Sequence, residues 1–289
     1  MSYQIIETHR EVGSVQRLCG ALGVSVSGYY AWRTRPPNQR QQTDAVLLKA
    51  IQMAYQAGRG VYGSPRIYAA LRQQGLCCSR KRVARLMRQH GIHSRRRPKR
   101  RTHTTDSRHN RPVAPNLLKR DFSADAPNEK WVGDIVGIWT DEGWLYLAAL
   151  LDTYSRLIVG WAMSVYRDEA LVEAALRMAL ARRELPQDTD LIQHTDRGSQ
   201  YTADDYLVLL KAHGIQVSMS GKADPYDNAM IESFFSTLRA ELTDLERFAT
   251  RQTARTAVFE FIEVFYNRQR LHSSLGYRSP MAYETAHLS

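Results

Sequence analysis

The feature that most limits the fold is a change of character near residue 125. There a polar, basic chain gives way to three apolar runs of strand length joined by tight turns. Residues 131–140, 143–151 and 157–164 form these runs, and connections so short permit only antiparallel hairpins. The period then changes. Leu171, Val172, Ala175, Leu176, Ala179 and Leu180 recur at helical spacing across 168–183. A short strand at 191–194, a helix near 203–213, a strand at 215–217 and helices over 227–242 and 251–268 follow. Hairpins followed by alternating helix and strand predict an α/β domain over 125–289, a mixed sheet with helices packed on it.

Upstream, the pattern is helical throughout. Residues 14–33 read as two short helices around a Gly-Val-Ser turn, with Val15, Leu18, Cys19 and Leu22 on one face and Val26, Tyr29, Tyr30 and Trp32 beyond it. This is helix-turn-helix patterning, compatible with DNA contact or with core packing alone, and Pro36-Pro37 closes the unit at 1–37. A second helical unit spans 43–93, with Ser64-Pro65 expected to cap one helix and Ser79 another. That last helix turns Arg80, Lys81, Arg82, Arg85 and Arg88 outward. Five positive charges with no acid among them repel one another unless an anion is present, so phosphate contact is expected there. Residues 94–124 open with Arg95, Arg96 and Arg97 and read as a basic linker that orders along DNA.

Charge divides the chain the same way. Residues 1–120 carry 24 Lys/Arg against 4 Asp/Glu, and residues 121–289 carry 16 against 25. The first part is suited to sit on phosphates; an acidic part beside it is what metal-dependent nuclease chemistry needs. No apolar stretch approaches the roughly 18 to 20 residues of a membrane helix, and no secretory signal opens the chain, so a cytoplasmic protein is expected. Three cysteines, two of them adjacent, make no disulfide framework, and Cys77, Cys78, His90 and His93 do not suit a tetrahedral zinc site.

Most acids in so acidic a domain must be surface residues, so the informative ones stand where apolar patterning leaves no place for a surface acid. Asp134 lies mid-strand among Val132, Ile135 and Val136; Asp196 follows directly on the fourth strand; Glu232 shares a helix with Ala229, Phe235 and Leu238. Oxygen ligands of this kind suit Mg2+ or Mn2+, and two such ions can serve an in-line phosphoryl displacement. Asp152, at the end of the second strand, reads as a turn-forming acid paired with Arg156, and His194 as a packed strand residue.

The ordered motifs carry a resemblance. Tyr62-Gly63-Ser64-Pro65-Arg66-Ile67, Trp131-Val132-Gly133-Asp134, His194-Thr195-Asp196-Arg197-Gly198-Ser199-Gln200-Tyr201, Tyr226-Asp227-Asn228-Ala229 and Arg270-Leu271-His272 stand in this order, with 35 residues between Asp196 and Glu232. So placed, they resemble the OrfB-type transposases of the insertion-sequence-3 family, relatives of retroviral integrases. The resemblance implies a ribonuclease-H-like catalytic fold preceded by all-α helix-turn-helix-type units. It also implies metal ligation by Asp134, Asp196 and Glu232, with two ions per site. Arg239 is implied at the position that contacts DNA near the cut, against the alternative of pairing with Glu241 or Asp244. Tyr266, Asn267, Arg270 and His272 are expected to fix the C-terminal helix on the sheet. Val136 and Ala223 depart from the family's usual Thr and Gly.

The implied activity is cleavage and strand transfer at insertion-sequence ends, on double-stranded DNA that supplies terminal repeats and target. Implied partners are further copies of the chain on DNA and an upstream, frameshift-fused protein bearing a helix-turn-helix and leucine zipper, since no heptad run is present here. A nuclease that cuts without joining, and a non-catalytic DNA-binding regulator, are the competing readings.

Overall fold

The computed structural model describes residues 2–36, 38–95, 114–186, 189–221 and 225–288. Two compact units divide at Met53/Ala54. The first contains α1 (Ser2–His9), α2 (Val15–Ala21), α3 (Val26–Thr34) and the start of α4 (Gln39–Ala57). Ser14 and Ser25 cap α2 and α3, their hydroxyls accepting from Arg17 N at 3.4 Å and Gly28 N at 2.9 Å. Between the two helices Gly23 takes a left-handed turn at φ 64°. The sequence reading did not contain α1, which supplies Ile6 and Tyr3 to a small core with Cys19 and Tyr29. Leu22, Tyr30 and Trp32 are exposed. Glu7 accepts the Tyr29 hydroxyl hydrogen and pairs with Arg10 and Arg33.

The second unit opens with α5 (Ser64–Gln73) and α6 (Arg80–Gln89), which pack through Ile67, Leu71, Val83, Leu86 and Met87. Ser79 caps α6, its hydroxyl accepting from Arg82 N at 3.2 Å. Ser64 is no cap: Gly63 holds the cap position without a side-chain bond, and Pro65 sits in the first turn, where a missing N–H costs nothing.

β1 (Lys130–Thr140), β2 (Gly143–Asp152) and β3 (Ile158–Ser164) form the expected antiparallel hairpins. After α7 (Glu169–Arg182), β4 (Ile192–Thr195) joins β1 in parallel, and after α8 (Asp204–Ala212), β5 (Gln216–Met219) joins β4 in parallel. The order β3-β2-β1-β4-β5 makes the expected mixed sheet.

One sheet face carries Trp131, Ile135, Ala148, Leu150 and Val159 against Leu171, Val172, Ala175 and Leu176 of α7 and Tyr206 and Leu210 of α8. Each such fully buried large side chain contributes roughly 1.5–3 kcal/mol. The helix comes unusually close: a Cβ on Gly160 would lie 2.3 Å from the Ala175 carbonyl oxygen, so only glycine permits this approach. The alternate residues of β1 and β2, including Val132, Val136, Leu145 and Leu147, are also buried, and α9 (Ala229–Leu238) and α10 (Arg251–Phe259) pack on these two strands.

Both of those helices continue into wider, π-helical turns, Arg239–Thr243 and Glu260–Tyr266, where α-helix was expected throughout. Asn267 then pins the chain to the sheet edge: its Oδ1 accepts from Ile158 N and its Nδ2 donates to Ile158 O, both at 3.0 Å. The C-terminal helix α11 (Pro280–Leu288) follows.

The expected linker divides in two. Residues 96–113 lie outside the described residues, while 114–121 are docked rather than free. Leu118 is buried, Leu117 N donates to Ser218 Oγ at 2.9 Å, and Met219 N donates to Pro115 O at 3.3 Å. The buried side chain of Leu118 and the backbone bonds of Leu117 and Pro115 account for the docking.

Candidate active site

β1 is the strand at which the sheet changes direction, pairing antiparallel with β2 on one side and parallel with β4 on the other. Open sheets bind ligands at such switch points, beyond the carboxyl ends of parallel strands. The parallel register brings Gly133 beside Thr195, so the next residue on each chain, Asp134 and Asp196, meets its counterpart there. Both are half-buried. Asp134 Oδ1 accepts from Ile135 N at 2.7 Å, and Asp196 Oδ1 accepts from Gly198 N at 2.9 Å.

Burial and the neighbouring Asp196 charge push the Asp134 carboxyl up to about 8, with a further contribution from Glu232 and a partial offset from the Ile135 N–H and Arg167. The three acids therefore share one electrostatic field. Glu232 enters it differently from the sequence reading. The buried face of α9 is Ile231, Phe234, Phe235 and Leu238, whereas Glu232 and Ala229 are exposed. Burial of the neighbourhood raises the Glu232 carboxyl and the Arg239 charge lowers it, which places Arg239 on the Glu232 side of the helix. Of the two alternative partners considered for Arg239, Glu241 and Asp244, Glu241 is occupied by Arg270 and Arg66.

Several neighbours organise this site, and the sequence singled out few of them. Asn228 stands at the cap position of α9 but its side chain makes no cap bond; its Nδ2 donates to Gly133 O at 3.3 Å and ties the start of the helix to the strand beside Asp134. Asp227 Oδ2 accepts from Asn116 Nδ2 at 2.9 Å and Gly221 N at 2.7 Å, closing the turn before α9. Gln200 Nε2 donates to Arg167 O at 3.1 Å, which brings the β3–α7 connection to the turn after Asp196. Gly198 leaves room for that turn, since a Cβ there would lie 2.8 Å from Gln200 Oε1 and 3.0 Å from Asp196 Oδ1.

His194 is fully buried with Nδ1 2.8 Å from Ser218 Oγ, and burial lowers its pKa. Asp152 is a turn former whose partners are the backbone N–H groups of Asn128, Tyr154 and Ser155, at 2.7, 2.9 and 3.3 Å. Arg156 meets it only through its backbone, Arg156 N donating to Asp152 O at 2.8 Å, because the tight turn itself brings that N–H round.

The donor set fits a hard divalent cation in kind: oxygens only, like-charged, and open to solvent at Glu232. Among the described residues no group of three or more His, Cys, Asp or Glu side chains stands close enough together to hold a metal ion, so Glu232 does not join Asp134 and Asp196 in one ligand set here. Magnesium binds this way, through one or two carboxylates with water and substrate phosphate completing its shell.

Of the basic residues, Arg80, Lys81, Arg88 and Arg95 are exposed and Arg82 and Arg85 half-buried; Arg85 Nη1 donates to Gln89 Oε1 at 2.8 Å. Arg96 and Arg97 lie outside the described residues. No described helix is long and apolar enough to cross a membrane.

Known proteins agree with this architecture. An integrase core domain family matches residues 124–225, a second integrase core domain family 213–280, and an HTH-like domain family 41–100. The chain is 43% identical over 296 residues to the Transposase InsF for insertion sequence IS3A of Escherichia coli strain K12, covering 100% of both chains. It is 44% identical over 266 residues to the uncharacterized 31 kDa protein of insertion element IS600 from Shigella sonnei, covering 92% of this chain and 97% of that one. Among solved structures, the HTLV-2 integrase catalytic core domain in complex with magnesium aligns at a TM-score of 0.42 and 14% identity, over 56% of this chain and 99% of that one.

Proposed function

Because this chain belongs to the family of insertion-sequence-3 transposases with an integrase core domain, we propose that Asp134, Asp196 and Glu232 are the centre with which it cuts and joins DNA. It hydrolyses a phosphodiester at the end of an insertion sequence, and the freed 3′-hydroxyl then attacks a phosphodiester of another strand, forming a new ester bond while that strand's own 3′-oxygen leaves as a hydroxyl. The observation that carries the residue assignment is the meeting of Asp134 and Asp196 at the sheet's switch point, in a field strong enough to hold Asp134 protonated up to about pH 8.

Both steps are in-line phosphoryl transfers, so the protein's task is positioning and charge stabilisation rather than covalent catalysis. Asp134 and Asp196 would hold divalent cation between the strands, with Glu232 joining from α9; Mg2+ is the expected ion, Mn2+ a substitute, and two per site the count such chemistry uses. When bound, the ions acidify the attacking hydroxyl and stabilise the leaving oxygen. Arg239, on the Glu232 side of α9, contacts the DNA backbone near the cut. Arg80, Lys81, Arg82, Arg85 and Arg88 of α6, with Arg95, Arg96 and Arg97, supply salt-sensitive affinity for the terminal repeat. Residues 1–37 and 43–93 act as DNA-binding units ahead of the linker 94–124 and the catalytic domain 125–289. The protein works in the bacterial cytoplasm as an oligomer on DNA, together with an upstream fusion partner that pairs the element ends.

The test is incubation of the protein and its Asp196→Asn variant with labelled terminal-repeat DNA and Mg2+. Joined products from the parent and none from the variant are expected. Cleavage without joining would reassign the protein as a nuclease, and joining by the variant would remove Asp196 from the centre.

A further inference from the structure

Nine residues beyond Glu232, on the same helical run, Glu241 is buried among cations. Arg270 Nε donates to Glu241 Oε2 at 2.7 Å and Arg270 Nη2 to Oε1 at 2.6 Å, a two-pronged bond that fixes distance and angle together. Arg66 Nη1, from α5, reaches the same Oε1 at 3.6 Å. His272 Nε2 stands 3.2 Å from Arg270 Nη1, and burial with the charges of Arg270, Arg156 and Arg66 depresses its pKa to about 2, so the ring stays neutral and accepts.

Around this cluster the α5 side and the 269–277 segment are joined backbone to side chain. Arg66 Nε donates to Leu271 O at 3.0 Å, Leu271 N donates to Tyr62 Oη at 2.9 Å, and Gln73 Nε2 donates to Tyr277 O at 2.7 Å. Arg59 lies over the rings of Phe261 and Phe265, 5.9 and 5.6 Å from their centroids. The anchor point on the catalytic side is the π-helical turn that continues α9, the helix of Glu232 and Arg239. An apolar contact would hold these elements together with freedom to slide. A buried guanidinium–carboxylate pair does not, because any shift exposes an uncompensated charge.

We propose that Glu241 and Arg66 are positioning residues for the reaction: they hold α5 and α6 at a set distance from Glu232, so that the place of the cut is measured from the place where α6 grips DNA. This rests on the reading that α6 contacts the terminal repeat and Glu232 belongs to the catalytic centre.

The test uses the full chain and its Arg66→Gln and Glu241→Gln variants with end-labelled terminal-repeat DNA and Mg2+, the cuts mapped to the nucleotide, and DNA affinity measured separately without metal. Affinity should stay within about twofold of the parent, while cuts spread to neighbouring phosphodiesters and the share at the parental site falls on the order of tenfold. Arg66→Lys, which keeps the charge beside Glu241, should restore the single site. An unchanged cut position in the variants overturns the proposal, as does a uniform loss of cutting without redistribution, the mark of a merely structural role. If Glu241→Gln does not fold, Arg66→Gln decides, since its side chain sits at the rim with 26% exposure. Replacing Arg80 and Lys81 with Ala checks the DNA-binding reading independently. Unchanged affinity there would remove the reference point, and with it the ruler.

Discussion

Glu232 and Glu241 occupy one helical run and have opposite surroundings. Glu241 is buried, and its oxygens are taken up by Arg270 and Arg66. Glu232 is exposed, and together with Asp196 it adds to the charge that Asp134 resists. In one region the fold neutralises its carboxylate with its own cations; in the other it sets two carboxylates side by side with a third adding to their field. The first arrangement stabilises geometry, and the second stores an unfavourable field.

The sharpest way to break this contrast is to remove a charge from each region. Asp134→Asn or Asp196→Asn should lower single-turnover cleavage and joining by roughly 10³-fold or more, with the fold retained; residual activity near the parental level would mean that the acids are bystanders. Glu241→Ala should cost about 3–5 kcal/mol in urea unfolding, because Arg270 is left buried without its partner. Glu232→Ala should stay within about 0.5 kcal/mol, as befits an exposed residue. Similar losses at the two positions would erase the distinction.

A pH series sharpens it further. In metal-free protein the folded Asp134 carboxyl titrates at about 8, above its ordinary 3.8. Its contribution to stability is therefore fully present below 3.8 and is lost as pH rises through about 8. Asp134→Asn should accordingly melt higher than the parent at pH 8, by about 3 °C, and lose that advantage towards pH 4. A constant difference across the range would refute the assignment of cause. The smallest effect belongs to α6: Arg80→Ala or Lys81→Ala should weaken binding nearly uniformly across DNA sequences and reduce the salt slope by about 1 each. A sequence-selective loss would instead point to base contacts.

The sheet was readable because alternating apolar runs and tight turns leave a strand little choice; β1 differs from its expected bounds by one residue. The positions of Asp134 within β1 and of Asp196 just beyond β4 were readable for the same reason, since the apolar pattern fixes the strands that carry them. Glu232 was not. It was read on an apolar helix face with Ala229, Phe235 and Leu238, but the buried face of α9 is Ile231, Phe234, Phe235 and Leu238; Glu232 is exposed, and its physical setting matches any surface acid. The helix α1 was missed because Ser2–His9 is a short mixed segment whose one buried residue, Ile6, sets no period. The two π-helical turns were read as plain helix, since a widened turn leaves the apolar spacing around it nearly intact. The cluster around Glu241 was out of reach altogether. Its bonds join residues 29 and 205 positions apart, and nothing local in either motif announces the other.

The amide of Asn267 also has a consequence for the unbonded rim of the sheet. β3 is an outermost strand, and an outermost strand offers its free N–H and C=O groups to any extended chain that drifts past. By engaging both backbone groups of Ile158, Asn267 imitates one residue of a neighbouring strand without continuing into one. On the opposite margin Pro115 accepts from Met219 and, lacking an N–H, has none to offer in return. The sheet is thereby stoppered at both margins, a defence against edge-to-edge aggregation.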